Sequence, residues 1–185
     1  STSHDIDVYE GPEMERHHRI TRMCRIPRHI TLAPDDSRLY ISCLGGGFLG
    51  VMATRSERIE HTLRTLSGPK ANDVSPDGRY VVTADYNGNG VTLIDTADWS
   101  SRSLEIPAMN RASGVAFTRD GLRAVVTGWF DDHLYAVDFE GRAPALRFTP
   151  TEIARTARLR REYDSQAGEH IPGLAENDRR LRGRN

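Results

Sequence analysis

Apolar residues in this chain fall into short runs separated by clusters of Gly, Asp, Asn and Pro, and the stretch 69–96 shows the pattern most clearly. Ser75-Pro76-Asp77-Gly78-Arg79 reads as a turn, and Tyr80-Val81-Val82-Thr83 as a β-branched run. Asp85-Tyr86-Asn87-Gly88-Asn89-Gly90 is a second turn and Val91-Thr92-Leu93-Ile94 a second run. Runs of this length, bounded by turn residues, predict strands joined by hairpins. The module occurs three times: 42 residues separate Pro27 from Pro69, and 43 separate Pro69 from Ala112. A β-branched run follows the turn in each copy: Leu39-Tyr40-Ile41-Ser42, Tyr80-Val81-Val82-Thr83 and Ala124-Val125-Val126-Thr127. In the first copy Asp36 stands in the glycine slot with Ser37 inserted after it, which predicts a looser turn.

A fixed period near 40 residues with four short strands per unit predicts an all-β protein built as β-propeller blades of four antiparallel strands. An unrelated β-sandwich with similar turns is the alternative. The expected division is a half-blade at 1–26, blades at 27–68, 69–111 and 112–149, and a helix with a polar tail at 150–185. Ile6-Asp7-Val8-Tyr9 and the alternating segment 18–26 supply the half-blade strands, with Cys24 on the second of them. Fourth strands fall at 59–66 and 103–106. Thr149-Pro150-Thr151-Glu152 has the form of a capping box with proline at the first helical position, predicting a helix over 150–163.

The turn at Ser75–Arg79, Pro27 and Pro69, Tyr40-Ile41-Ser42, Tyr80-Val81-Val82-Thr83 and Leu93-Ile94-Asp95-Thr96 carry a resemblance to the YVTN-type β-propeller repeat, related to lactonase-like and nitrite-reductase-like seven-bladed propellers. It covers about residues 6–148 and departs at Asp36, Ala53 and Thr118-Arg119. Such a repeat specifies a blade far better than a function, because one fold hosts many.

Composition narrows the partners. Twenty-five basic residues face 26 acidic ones, so no global positive field points to nucleic acid. No apolar run reaches membrane-spanning length. Ser1-Thr2-Ser3-His4 opens directly into polar sequence and does not read as a signal peptide, so the expected location is the cytoplasm. The two cysteines, Cys24 and Cys43, resemble neither a disulfide framework nor a metal knuckle, and a bond between them is not favoured.

Two groups of residues carry candidate chemistry. The aligned starts of the first strands place Arg28, His29, Lys70, Asn72, Asp73 and Arg111 at the mouth of a central channel, and His29, Asn72, Asp73 and Arg111 are expected to share one cavity. Histidine suits proton transfer or metal ligation, and Lys and Arg suit a carboxylate or phosphate. The loops between second and third strands offer Asp85, Asn87, Trp129, Asp131, Asp132 and His133. Among these groups His29, Asp131 and His133 are the metal candidates, although turn formation explains the Asn-Gly and Asp-Asp pairs more simply.

The expected function is a binding or assembly module that presents channel and loop residues to a partner or small ligand, as part of a composite propeller. Its partner would be a second copy of the chain or a separate propeller chain. Relatives of the resembled family imply two alternatives. One is a lactonase- or lyase-like enzyme with its site in the channel, for which only Arg28, His29 and Arg111 match and the expected glutamate is missing. The other is a haem- or metal-binding propeller with His29 as axial ligand. Cofactor and substrate are not specified by the residues.

Overall fold

The computed structural model describes residues 4–130, 133–139 and 146–151, the last six and Phe139 by their backbone alone. Every regular element in them is a β-strand. Strands β1 (Ile6–Glu10) and β2 (Glu15–Ile20) form a two-stranded hairpin. Three four-stranded antiparallel sheets follow in strict chain order. The first contains β3 (Pro27–Leu32), β4 (Arg38–Cys43), β5 (Phe48–Ala53) and β6 (Arg58–Arg64). The second contains β7 (Pro69–Val74), β8 (Tyr80–Asp85), β9 (Gly90–Asp95) and β10 (Ser101–Glu105). The third contains β11 (Ala112–Phe117), β12 (Arg123–Gly128), β13 (Leu134–Phe139) and β14 (Leu146–Thr151).

The middle strands of the first two sheets are buried on both faces because those sheets are covered on both sides. Tyr40, Leu49 and Val51 pack with Val81 and Ile94 between the first and second sheets. Val82, Ala84, Val91 and Leu93 pack with Ala124, Val126, Tyr135 and Val137 between the second and third. The hairpin lays Ile6 and Ile20 on Ile41 and Met52. Burying each such side chain contributes about 1.5–3 kcal/mol. The outer strands β6 and β10 alternate toward solvent. The first strands lie side by side across the sheets: the Thr31 hydroxyl donates to the Asn72 carbonyl at 3.1 Å, and the Phe117 N–H donates to Asp73 Oδ2 at 2.7 Å.

Four backbone positions recur in the left-handed region, with φ between +49° and +74°. Ile26, Gly68 and Arg111 precede the first strand of each sheet, and Asp36, Gly78 and Gly121 occupy the turn after it. Gly47 and Asn89 follow the second strand, and Met14, Glu57 and Trp99 precede the last one. The fold demands these conformations, and in most copies a residue other than glycine supplies them.

Several sequence expectations are corrected. Ser37 is not an insertion: the Ala33 N–H donates to the Arg38 carbonyl as the Ser75 N–H donates to that of Tyr80, so the two turns have equal length and Asp36 takes the place of Gly78. The runs ending in Ser42 and Thr127 therefore sit one residue out of step with the run ending in Thr83; Tyr40 is equivalent to Val82 and Val125. Strand β2 ends at Ile20, because Arg22 and Ile26 are left-handed, and Cys24 lies in the connection to β3. Cys24 and Cys43 form a disulfide, with Cα atoms 5.8 Å apart, joining that connection to the end of β4. Their 19-residue separation in sequence hides a proximity made by the sheet. Thr149, Pro150 and Thr151 continue β14 opposite Ala136, Tyr135 and Leu134, so no helix begins at Pro150. Pairing with β13 overrides the local capping signal, and an edge strand accommodates proline. Residues 152–163 of the expected helix lie outside the described residues.

Candidate functional site

Lys70, the second residue of β7, points across the sheet end onto two aromatic rings. Its ammonium lies 3.2 Å from the centroid of Trp129 and 4.9 Å from that of Tyr86. The Arg111 guanidinium stacks 4.8 Å from the same Tyr86 ring and donates to Asn87 Oδ1 at 3.4 Å. Tyr86 and Trp129 meet edge to face at 6.3 Å, and Phe130 continues the row. Trp129 and Phe130 are more than half exposed, at 56% and 62%.

Backbone bonds hold this arrangement. The Arg111 N–H donates to Asn89 Oδ1 at 2.9 Å, and the Trp129 N–H donates to the Asn110 and Arg111 carbonyls at 3.0 and 2.8 Å. The loops after β8 and β12 are thus tied to the start of β11. Desolvation, then the charge of Arg28, lower the Lys70 pKa from its ordinary value. Arg28 therefore belongs to the same positive field. Ammonium–aromatic contacts of this kind contribute about 0.5–1 kcal/mol at exposed sites.

The other channel candidates separate. His29 Nδ1 accepts weakly from the Asn72 N–H at 3.4 Å, and Asn72 Nδ2 donates to Ser42 Oγ at 2.8 Å, to the Tyr40 carbonyl at 3.3 Å and to the His29 carbonyl at 3.4 Å. Asn72 Oδ1 is buried without a partner. Asp73 accepts from the N–H groups of Val74 and Phe117, which fixes β7 to β11. The expected foursome is therefore two neighbours, His29 and Asn72, a structural Asp73, and an Arg111 that sides with Lys70.

Asp85 is fully buried and accepts from Thr83, Thr92 and the Leu66 N–H, so it is no loop ligand. His133 is exposed, its ring 6.0 Å from that of Tyr135. Asp131 and Asp132 lie outside the described residues, among which no three His, Cys, Asp or Glu side chains converge on one point. Tyr86, the platform shared by both cations, had no sequence signal beyond being an aromatic in a turn.

No protein-family model matches this sequence, and no curated protein matches it either. Solved structures do. Kuenenia stuttgartiensis hydrazine synthase matches with TM-score 0.59 and 25% identity over 68% of this chain and 36% of that one. The dihydro-heme d1 dehydrogenase NirN, solved in complex with DHE, matches with TM-score 0.62 and 21% identity over 80% of this chain and 33% of that one. The fold is a β-propeller. Its sheets are blades, and U3-55K matches them with TM-score 0.56 and 15% identity over 66% of this chain and 38% of that one. The matched part spans between 33% and 38% of each of these proteins.

Proposed function

We propose that this chain is a ligand-binding segment of a β-propeller, with blades of the YVTN type, that takes an anionic group at the end carrying Arg28, Lys70 and Arg111. The observation that carries the reading is the Lys70 ammonium seated on Trp129 and Tyr86 beside a second cation on the same tyrosine ring. A carboxylate or phosphate arriving there meets two guanidinium groups and an ammonium already partly stripped of water. The exposed faces of Trp129 and Phe130 supply apolar contact beside the charge.

Titration with citrate at constant ionic strength, followed by tryptophan emission, tests this. Anion binding draws Lys70 off the indole and changes the Trp129 signal. Lys70→Met is expected to weaken binding at least about tenfold, the scale of one charge-assisted bond. Asp131→Asn with Asp132→Asn is expected to strengthen it, by removing two negative charges from the same loop. Unchanged affinity in Lys70→Met would sink the reading. An absorbance spectrum of the purified chain separates the alternatives: a Soret band selects haem at His29, and bound divalent metal favours an enzyme.

A further inference from the structure

At the opposite end of β7 from Lys70, the first and second blades form a cavity of about 210 Å³, lined by Pro34, Asp35, Arg38, Tyr40, Asp77 and Thr96 among others. Tyr40 lines it and is only 2% exposed; its carbonyl accepts from Asn72, and no bond of its hydroxyl to a described group is present. Burial raises the phenol's pKa, so it stays protonated. Among the described residues the buried unpartnered polar atom is Asn72 Oδ1, so the Tyr40 hydroxyl opens onto the cavity rather than being sealed in the core, and the repeat shows that the fold does not need one here. The equivalent positions are Val82 and Val125, held in the same register by their own blades.

The rim is acidic. Asp35 Oδ1 accepts from the Ser37 hydroxyl and N–H at 2.7 and 3.0 Å, and Asp77 Oδ1 from the Ser75 hydroxyl and the Arg79 N–H at 2.6 and 3.0 Å. These bonds are turn chemistry, and Asp120 repeats them in the third blade. They leave both Oδ2 atoms unused and hold both carboxyls below the ordinary carboxylate range. Arg38 also lines the cavity and its charge acts on Asp35, but its Nε is bonded to Glu60 Oε2 at 2.9 Å, so it is shared with a third carboxylate and leaves the rim acidic. Two ionised carboxylates over a phenol with free lone pairs call for a positively charged group with several N–H donors.

We infer that the cavity between Tyr40, Asp35 and Asp77 binds a small organic cation, a primary ammonium or guanidinium head. The head enters between the two carboxylates, and one N–H reaches the Tyr40 hydroxyl. The site lies apart from the Lys70 face and does not rest on it.

The test is a titration of the isotope-labelled 185-residue chain with methylguanidinium chloride, followed by NMR. The amides of Ser37, Gly78 and Thr96 are expected to shift together, with a dissociation constant of about 1–10 mM for so few atoms. Tyr40→Phe, which keeps the ring, weakens binding about tenfold, as does Asp77→Asn, which keeps the turn-forming oxygen. Tetramethylammonium, charged but without N–H donors, binds at least about tenfold more weakly. A Gly-Arg-Gly peptide identifies the source: tighter binding than methylguanidinium means a side chain of a partner, and equal or weaker binding a free cation. Amides that stay unmoved would overturn the inference, as would parental affinity in Tyr40→Phe. If Tyr40→Phe fails to fold, parental affinity in Asp77→Asn does so instead.

Discussion

Arg111 combines two facts that pull in opposite directions. Its φ of +59° is required by the blade, since Ile26 and Gly68 adopt the same conformation at the same place. A left-handed backbone costs a non-glycine residue roughly 1–2 kcal/mol, while glycine loses about 0.5–1 kcal/mol of chain entropy on folding. Arg111→Gly should therefore raise the urea midpoint slightly, by up to about 1 kcal/mol in stability. The same change should lower citrate affinity, because the guanidinium leaves Tyr86 and Asn87. Both shifts in one variant would mean that the side chain is kept for what it binds. A loss of stability would mean that its contacts outweigh the strain.

Between elements, Asp85 fastens the connection from β6 to β7 onto the second blade. Its Oδ2 accepts from the Leu66 N–H at 3.0 Å and from the Thr92 hydroxyl at 2.5 Å. Burial lifts its pKa from 3.8 to about 6, against the pull of those bonds. The folded chain thus holds this proton more tightly than the unfolded one. The stabilisation is fully present below about pH 4 and lost as pH rises through about 6. Relative to Asp85→Asn, the parent should lose up to about 3 kcal/mol of stability between those limits. The lowered pKa values of Asp35, Asp77, Asp95 and Asp120 act the other way but are common to both proteins. Urea midpoints across that window decide it; a flat difference would mean that Asp85 titrates as in the unfolded chain. Elements of this kind were legible wherever local pattern and ladder agree, as in Tyr80–Asp85 and Gly90–Asp95. They were not where left-handed Asp36 stands for glycine, or where Pro150 joins an edge strand. In the site, Lys70, Arg111 and Trp129 each stood out as residue types, but their meeting depends on loops tied by Asn89 and Asn110, whose hydrogen bonds leave no periodic trace.

As a whole, the described chain is three blades and a two-stranded hairpin. We propose that further strands complete the ring, from a second copy, from a separate propeller chain, or from the rest of a longer propeller of which these blades are a piece. Rings of this fold typically need at least four blades, and bare strand edges invite pairing. Where a second copy supplies them, size exclusion with light scattering at micromolar concentration should show a dimer or larger. A monodisperse monomer with one cooperative melt would refute the need for added strands from any source.

The disulfide has a practical consequence at this scale. Cys24 and Cys43 bolt the β1–β2 hairpin's exit to the first blade, over Ile41 and Met52. Cut that bolt and the hairpin keeps its apolar contacts, the bonds from the Leu44 and Gly45 N–H groups to the Ile26 and Arg25 carbonyls at 3.0 Å, and the His18–Glu57 pair, both oxygens 2.8 Å from the ring nitrogen. A thiol reductant in the purification buffer, added by habit to protect cysteines, would then remove one tie holding the cover on this blade. Such bonds persist in oxidising surroundings, so the choice of expression compartment becomes part of making the protein.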